Sequence, residues 1–374
     1  MPLPDAVTLP GPHAADVPAS MAASVYRGES SLRLEEVPVP QIGPGELLVR
    51  VEACGVCHTD LKKIEHDLLP PPRIYGHETS GVIVQAAPGA HSFAEGDRVS
   101  VFHHIPCKNC FYCSAGDYAQ CEGYKKVGVT AGFEPAGGGF SQYVRVMDWI
   151  AAKGVEKIPQ NVDFDRATFV EPVNTCLKGL QKLAVRPEET VVIQGQGPIG
   201  LLFTMLLRRH GVERVYVTDP LPFRREKALE LGAVEAWDPL SGDLRERLDA
   251  LTEGRGADAV IVAASAPGIV EQAAEITRPG ARIMLFAQTS PTEVFQLDGA
   301  QVGKGERMVF GSYSASVDLQ RESADTVWDP AFRVDQLVSD RLPLRELERG
   351  IEIARRPESG SLKVVVHPPK EQTS

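Results

Sequence analysis

Along the first half of the chain, apolar residues come in short runs, many of them β-branched, and Pro and Gly interrupt them every few positions. The runs Glu46–Glu52, Gly81–Gln85 and Arg98–Phe102 predict strands, and residues 22–150 as a whole read as β-rich with loops. The rhythm changes at Thr190. Thr190–Gln194 (TVVIQ) has the profile of a strand buried on both faces, and a Gly-rich turn and an apolar helix to about Arg209 follow it. Arg214–Thr218 predicts the next strand and Pro222–Leu231 the next helix, and Ala257–Ala263 and Ala281–Ala287 continue the alternation. Strands alternating with helices imply βαβ units and an α/β fold with a parallel, doubly wound sheet. After Gly311 the pattern turns helical, through Leu344–Arg355, and closes on a strand at Leu362–Val366. One boundary is therefore expected near Phe169–Gly179. The final segment leaves the βαβ rhythm and is expected to rejoin the first domain.

A chain of 374 residues has room for two cores. With 43% hydrophobic and 24% charged residues, its composition is that of a globular protein rather than a disordered one. Its 39 basic residues against 50 acidic ones give a net charge of −11, which argues against nucleic acid as a partner. A membrane-crossing helix needs about 20 apolar residues. The longest apolar candidate, Ile199–Leu207, is stopped by Arg208, Arg209 and His210, so no membrane span is expected. Residues 1–20 carry no Lys or Arg and fit neither a secretory signal nor a transit peptide. They are expected to form a flexible extension, and the protein to be cytoplasmic.

The seven Cys are odd in number, and most of them fall in two short clusters, which favours metal binding over a disulfide framework. Cys107, Cys110, Cys113 and Cys121 are spaced C-x2-C-x2-C-x7-C. Four thiolates at such spacing can close a tetrahedron around a structural zinc, with an iron–sulfur cluster as the rival occupant. Lys108, Lys125 and Lys126 would offset their charge. The second cluster, Cys54-Gly55-Val56-Cys57-His58-Thr59-Asp60, precedes Gly76-His77-Glu78. Together these supply a thiolate, an imidazole and carboxylates but not four Cys/His ligands, the profile of a catalytic metal that keeps a position open.

Gly195-Gln196-Gly197-Pro198-Ile199-Gly200 is a GxGxxG directly after a predicted strand and opening a predicted helix. The glycines permit a tight turn, a close approach of backbone to a pyrophosphate and close helix–strand packing. Asp219 ends the next strand, where a carboxylate would bind the adenosine ribose hydroxyls. That charge repels the extra phosphate of NADP and favours NAD, while Arg224 and Arg225 soften the preference.

GVCHTD, GHE with Gly81 following, the four-Cys lobe and QGQGPIG stand in an order and at intervals that resemble the zinc-containing medium-chain dehydrogenase/reductase superfamily. The resemblance implies a GroES-like β-rich catalytic domain over residues 21–172, with a structural zinc lobe at about 103–125. It also implies a Rossmann NAD-binding domain over 173–312, and a C-terminal segment, 313–374, that completes the catalytic domain. Two zinc ions per chain are implied. Cys57 and His77 match catalytic zinc ligands, Asp60 matches an acid that fixes the His77 ring, and Thr59 matches the hydroxyl that hands on the substrate proton. Lys62 stands where many relatives carry a His that passes the proton to solvent. Cys54 and Cys176 match no ligand position. Glu171-Pro172 is similar to the sorbitol, threonine and glucose dehydrogenase branch, in which both this Glu and the Glu of GHE, here Glu78, are candidates for the remaining ligand. Phe102, His103, His104 and the loop Thr130–Gly139 read equally as pocket lining or as surface.

The expected activity is hydride transfer between a secondary alcohol (a polyol, sugar or amino alcohol) and NAD, giving the ketone, by a homodimer or homotetramer. Its rivals are a zinc-containing nucleotide-binding protein without turnover, a zinc-free reductase on the same fold, and an NADP-dependent reductase of a less polar carbonyl compound.

Overall fold

A computed structural model describes residues 17–123, 137–287, 294–356, 358 and 360–370. Most of the expected N-terminal extension, Lys125, Lys126 and positions 130–136 of the Thr130–Gly139 loop lie outside these residues. The chain divides into two compact units, Met1–Glu171 with Ser316–Ser374, and Pro172–Ala315. No helix among the described residues is long and apolar enough to cross a membrane.

The first unit opens with β1 (Ser20–Tyr26), β2 (Leu32–Pro38), β3 (Leu47–Gly55) and β4 (Arg73–Ile74). β5 (Glu78–Ala86), β6 (Arg98–Val101), β7 (Tyr143–Val146) and β8 (Val155–Lys157) follow. The second unit holds β9 (Thr190–Gln194), β10 (Arg214–Thr218), β11 (Glu235–Trp237), β12 (Ala257–Val262), β13 (Thr277–Leu285) and β14 (Met308–Gly311). The chain then returns to the first unit with β15 (Val338–Pro343) and β16 (Lys363–His367).

In the first unit β2, β1 and β4 form a small sheet, and the larger sheet runs β15-β16-β3-β5-β6-β8, with β7 also paired to β3. β3 is the hub. It pairs antiparallel with β5, so that Gly55 stands opposite Glu78, and with β16, so that Val365 stands opposite Gly55. Leu47, Leu48, Val49, Ala53 and Cys54 of β3 are fully buried, as expected of a strand covered on both faces. The strand β15 (VSDRLP) is absent from the sequence pattern because Asp340 and Arg341 interrupt its apolar character. It lies at an end of the sheet, where charged residues are tolerated.

Glu46, just before β3, is 5% exposed and fastens that strand. It accepts two hydrogen bonds from Arg145 of β7, from Nε at 2.6 Å and Nη2 at 2.8 Å, and one from the Gly43 N–H at 2.6 Å. Burial by itself raises the Glu46 carboxyl, but the bonds from Arg145 and Gly43 outweigh it and the net shift is downward. A depressed folded-state value means that the pair stabilises the fold above the ordinary carboxyl value of 4.5 and loses that contribution as pH falls below it. Glu46→Gln is expected to destabilise the protein by roughly 2–3 kcal/mol at neutral pH in urea unfolding. The gap from wild type should close as the pH falls below that value, and a pH-independent gap would refute the assignment.

The second unit is one parallel sheet in the order β11-β10-β9-β12-β13-β14. Counted within the unit this is 3-2-1-4-5-6, the Rossmann order, and the reversal between β9 and β12 creates the switch point where such sheets bind ligands. β9, β10 and β12 are almost continuously apolar and buried, which fits their central places in the sheet. The helix Pro198–Arg209 buries every residue from Gly200 to Leu207 and ends on Arg208 and Arg209, whose charges suit the negative end of the helix dipole.

Candidate metal centres and dinucleotide site

β3 ends at Gly55, and two residues later Cys57 caps the helix His58–Glu65. The Thr59 N–H donates to Cys57 Sγ at 3.5 Å, and the Cys57 N–H donates to Asp60 Oδ2 at 3.2 Å, a reciprocal cap that fixes both side chains. The other oxygen of Asp60 meets His77 Nδ1 at 3.0 Å, with both groups buried. A carboxylate there keeps the proton on Nδ1 and leaves Nε2 with its lone pair, the form of imidazole that binds a metal. Without a metal, burial lowers the His77 imidazole, but Asp60 and Cys57 more than reverse this and leave it raised well above its ordinary value, so a metal ion would displace a proton from Nε2. Glu78, the first residue of β5, completes the group: donor atoms of Cys57, His77 and Glu78 all lie within 4.8 Å of one another.

Three donors of mixed type at that spacing suit a zinc ion with one position left open. Asp60→Asn retains the shape but loses the charge that orients His77. It is expected to weaken metal binding at this group about 10- to 100-fold in chelator competition, and an unchanged affinity would remove Asp60 from that role.

The structure does not bring Glu171 into the group. It lies in the first turn of the helix Val170–Leu183, 7% exposed, with Oε1 3.6 Å from His104 Nδ1. Burial, with the nearby charges of Glu78 and Asp60, pushes its carboxyl up to about 7 against the pull of His77 and Lys363. Phe102 and His103, read from sequence equally as surface or lining, are buried, and the His103 ring stands edge-on to His77 at 5.5 Å between centroids. Burial and the neighbouring His104, His77 and Lys63 hold His103 well below its usual value, so it is neutral. Thr59 is half-buried, and Lys62 lies further along the same helix. Cys54 is fully buried with Sγ 3.7 Å from Thr79 Oγ1, and neither it nor Cys176 joins a donor group among the described residues.

Sequence reasoning passed over Lys363. It lies in β16, is 4% exposed, and forms an ion pair with Glu78 Oε2 while donating to the Val56 carbonyl at 3.1 Å. The available signal was a lone charge inside the apolar run Leu362–Val366.

Donor atoms of Cys107, Cys110, Cys113 and Cys121 also lie within 4.8 Å of one another, with Cys107 and Cys113 sulfurs 3.9 Å apart. A tetrahedron with zinc–sulfur bonds of about 2.3 Å has sulfur–sulfur edges of roughly 3.8 Å. The four thiols are thus spaced for a single ion, since a multinuclear cluster would hold them further apart. Backbone N–H groups of Cys107 and Gly123 donate to Cys121 Sγ at 3.2 and 3.3 Å. Lys108, expected to offset the thiolate charge, places its ammonium 3.6 Å from the Tyr118 ring centroid and 3.8 Å from Asp318.

In the second unit the chain leaves β9 through Gly195 at φ +91°, where a Cβ would lie 2.5 Å from that of Ala264. A Cβ on Gly200 would meet the Gly195 carbonyl oxygen at 1.9 Å, so only glycine lets the helix pack onto the turn. Gly197 caps the helix without a side-chain bond, Pro198 occupies its first turn, and Ile199 is half-buried. The N–H groups of that first turn remain to receive a diphosphate. Asp219 accepts the Gln196 N–H on Oδ2 at 2.7 Å and the Leu221 N–H on Oδ1 at 2.9 Å. Arg224 Nη1 lies 3.7 Å from Asp219 Oδ2, and Arg225 Nη1 donates to the Asp219 and Pro220 carbonyls. The turn, the open helix end and the fixed carboxylate together fit a dinucleotide.

Residues 43–159 match the family model of the alcohol dehydrogenase GroES-like domain, and residues 198–329 match that of zinc-binding dehydrogenases. A sorbitol dehydrogenase of Bacillus subtilis is 26% identical over 94% of this chain and 98% of its own length. An L-threonine 3-dehydrogenase of Symbiobacterium thermophilum is 31% identical over 89% of this chain and 93% of its own. Among solved structures, a protein from Sinorhizobium meliloti described as a zinc-binding dehydrogenase bound to NADP has a TM-score of 0.84 at 29% identity. That match covers 94% of this chain and 100% of the other. The donor groups, the nucleotide turn and these matches converge: the chain belongs to the zinc-dependent medium-chain dehydrogenase/reductase superfamily.

Proposed function

We propose that the protein transfers hydride between a secondary alcohol of polar character (a polyol, sugar or amino alcohol) and NAD, giving the ketone, with one zinc in the Cys57 group and another in the four-Cys lobe. The observation that carries this reading is the incomplete donor set Cys57–His77–Glu78, beside a complete set of four thiols in the same unit. A bound zinc would supply Lewis acidity toward the substrate oxygen. Cys57 and His77 would hold it, and Asp60 keeps His77 Nδ1 protonated and its ring in place. The Thr59 hydroxyl would accept the substrate proton while passing its own proton on toward solvent. Glu171, its carboxyl raised by burial, lies beside His104 with Oε1 3.6 Å from Nδ1. The sorbitol and threonine dehydrogenase relatives support a polar alcohol over a simple aliphatic one.

For the nucleotide, the Asp219 carboxylate argues for NAD, because a phosphate on the adenosine ribose would face its charge. Arg224 opposes that preference at 3.7 Å, and a relative of similar fold carries NADP. Comparing kcat/KM for NAD and NADP across polyols, sugars and β-hydroxy amino acids tests both halves of the reading. NAD is expected to lead by at least about 10-fold, on the order of 1.4 kcal/mol. A lead for NADP would reverse the cofactor assignment, and no turnover of any polar alcohol by zinc-loaded protein would overturn the activity.

A further inference from the structure

Glu78 faces two cations' worth of chemistry. Its donor atom lies in the Cys57–His77 group, while its Oε2 is paired with Lys363, and both residues are almost completely buried. The fold is built to make the pair. β3 lies between β16, which carries Lys363, and β5, which carries Glu78. Directly opposite Glu78 on β3 is Gly55. A Cβ at Gly55 would lie 2.0 Å from Glu78 Oε2 and 2.9 Å from Lys363 Cε, so the missing side chain is the space that the pair fills. The Val56 carbonyl accepts a further N–H of Lys363 at 3.1 Å and steadies its ammonium beside Glu78.

We infer that Lys363 is a positioning residue that shares Glu78 with the metal and so limits how tightly the Cys57–His77–Glu78 group grips it. A carboxylate divided between an ammonium and a metal ion gives less charge to the metal than one that is free to turn fully toward it. The ammonium also keeps Glu78 compensated and in place when the metal is away, since a buried carboxylate without a partner is strongly disfavoured. The metal is thus held by two firm donors, Cys57 and His77, and one tempered donor. This inference rests on the proposed metal role of that group.

The test is release of zinc from the fully loaded protein to a chromophoric chelator. The Cys57→Ser variant identifies the phase that belongs to this group, and if it removes no phase, the metal reading itself fails. Given that phase, Lys363→Met is expected to slow it by about 10-fold, at the lower end of what partners outside the ligand set usually exert, and with the opposite sign from losing a supporting partner. Lys363→Gln keeps a donor for the Val56 carbonyl and should show the same slowing if the Met variant does not fold. In a Glu78→Gln background the slowing should vanish, because the shared group is gone. An unchanged or faster phase in the Lys363 variants would overturn the inference. So would an equal slowing in the Glu78→Gln background, which would mean that Lys363 acts on the metal only through its long-range field.

Discussion

Cys57→Ser is expected to lower kcat/KM more than about 1000-fold for every alcohol, a loss of at least about 4 kcal/mol of transition-state stabilisation. The Cys57 sulfur is one of three donors in the group among the described residues, and a serine hydroxyl stays protonated at neutral pH, so it cannot supply the charge or the affinity of a metal-bound thiolate. NADH binding, followed by fluorescence titration, should change by no more than about 2-fold. The Gly195–Gly200 turn and Asp219 belong to the Pro172–Ala315 unit and share no side chain with Cys57. Retained turnover in the serine variant would refute a metal-dependent step at this cysteine. Weakened NADH binding would instead indicate a folding defect.

Cys113→Ala is expected to act on the other metal, with the opposite division between stability and chemistry. The variant should lose one zinc per chain and become protease-sensitive within residues 105–123. Binding to four-ligand structural sites is worth on the order of 10 kcal/mol in small zinc modules, comparable to the whole stability of an ordinary domain. Among the described residues, little else holds this segment. Its regular structure is a four-residue helix, Phe111–Ser114, and a single 3-10 turn, Tyr118–Gln120, and its buried cluster consists of Cys113 and Cys121 with Cys110 and Tyr118 against it. A lobe that kept its protease resistance without the thiol would show that packing rather than metal maintains it.

The βαβ half of the fold was legible because its central strands are buried on both faces and so write themselves as unbroken apolar runs: β9 and β10 lie where the pattern placed them. β11, only three residues long and carrying Glu235, gives no such signal. Thr277–Leu285 was read four residues late because Pro279 and Gly280 interrupt the strand. In the site, the pairing of Asp60 with His77 followed from family resemblance, since 17 positions separate them and no local pattern links them. Lys363 was missed for a deeper reason. Its partner lies 285 positions earlier in the chain (363 minus 78), and only the β16-β3-β5 order brings the two together. A sequence shows a misplaced charge, but the sheet shows what it answers.

The position of β16 also has a consequence for biosynthesis. During translation the whole Pro172–Ala315 unit emerges before the strand that carries Lys363, so the Rossmann sheet can close while the first unit is still missing a neighbour of β3. Until Lys363–His367 docks, that side of β3 near Cys54 and Gly55 is an open edge, and Glu78 has no ammonium beside it. The thiols Cys107–Cys121, encoded within the first third of the chain, could take up a metal ion on the ribosome. The Cys57 group reaches its finished form only near the end of synthesis, so a nascent chain could carry an ion in the four-Cys lobe well before the proposed catalytic group is complete.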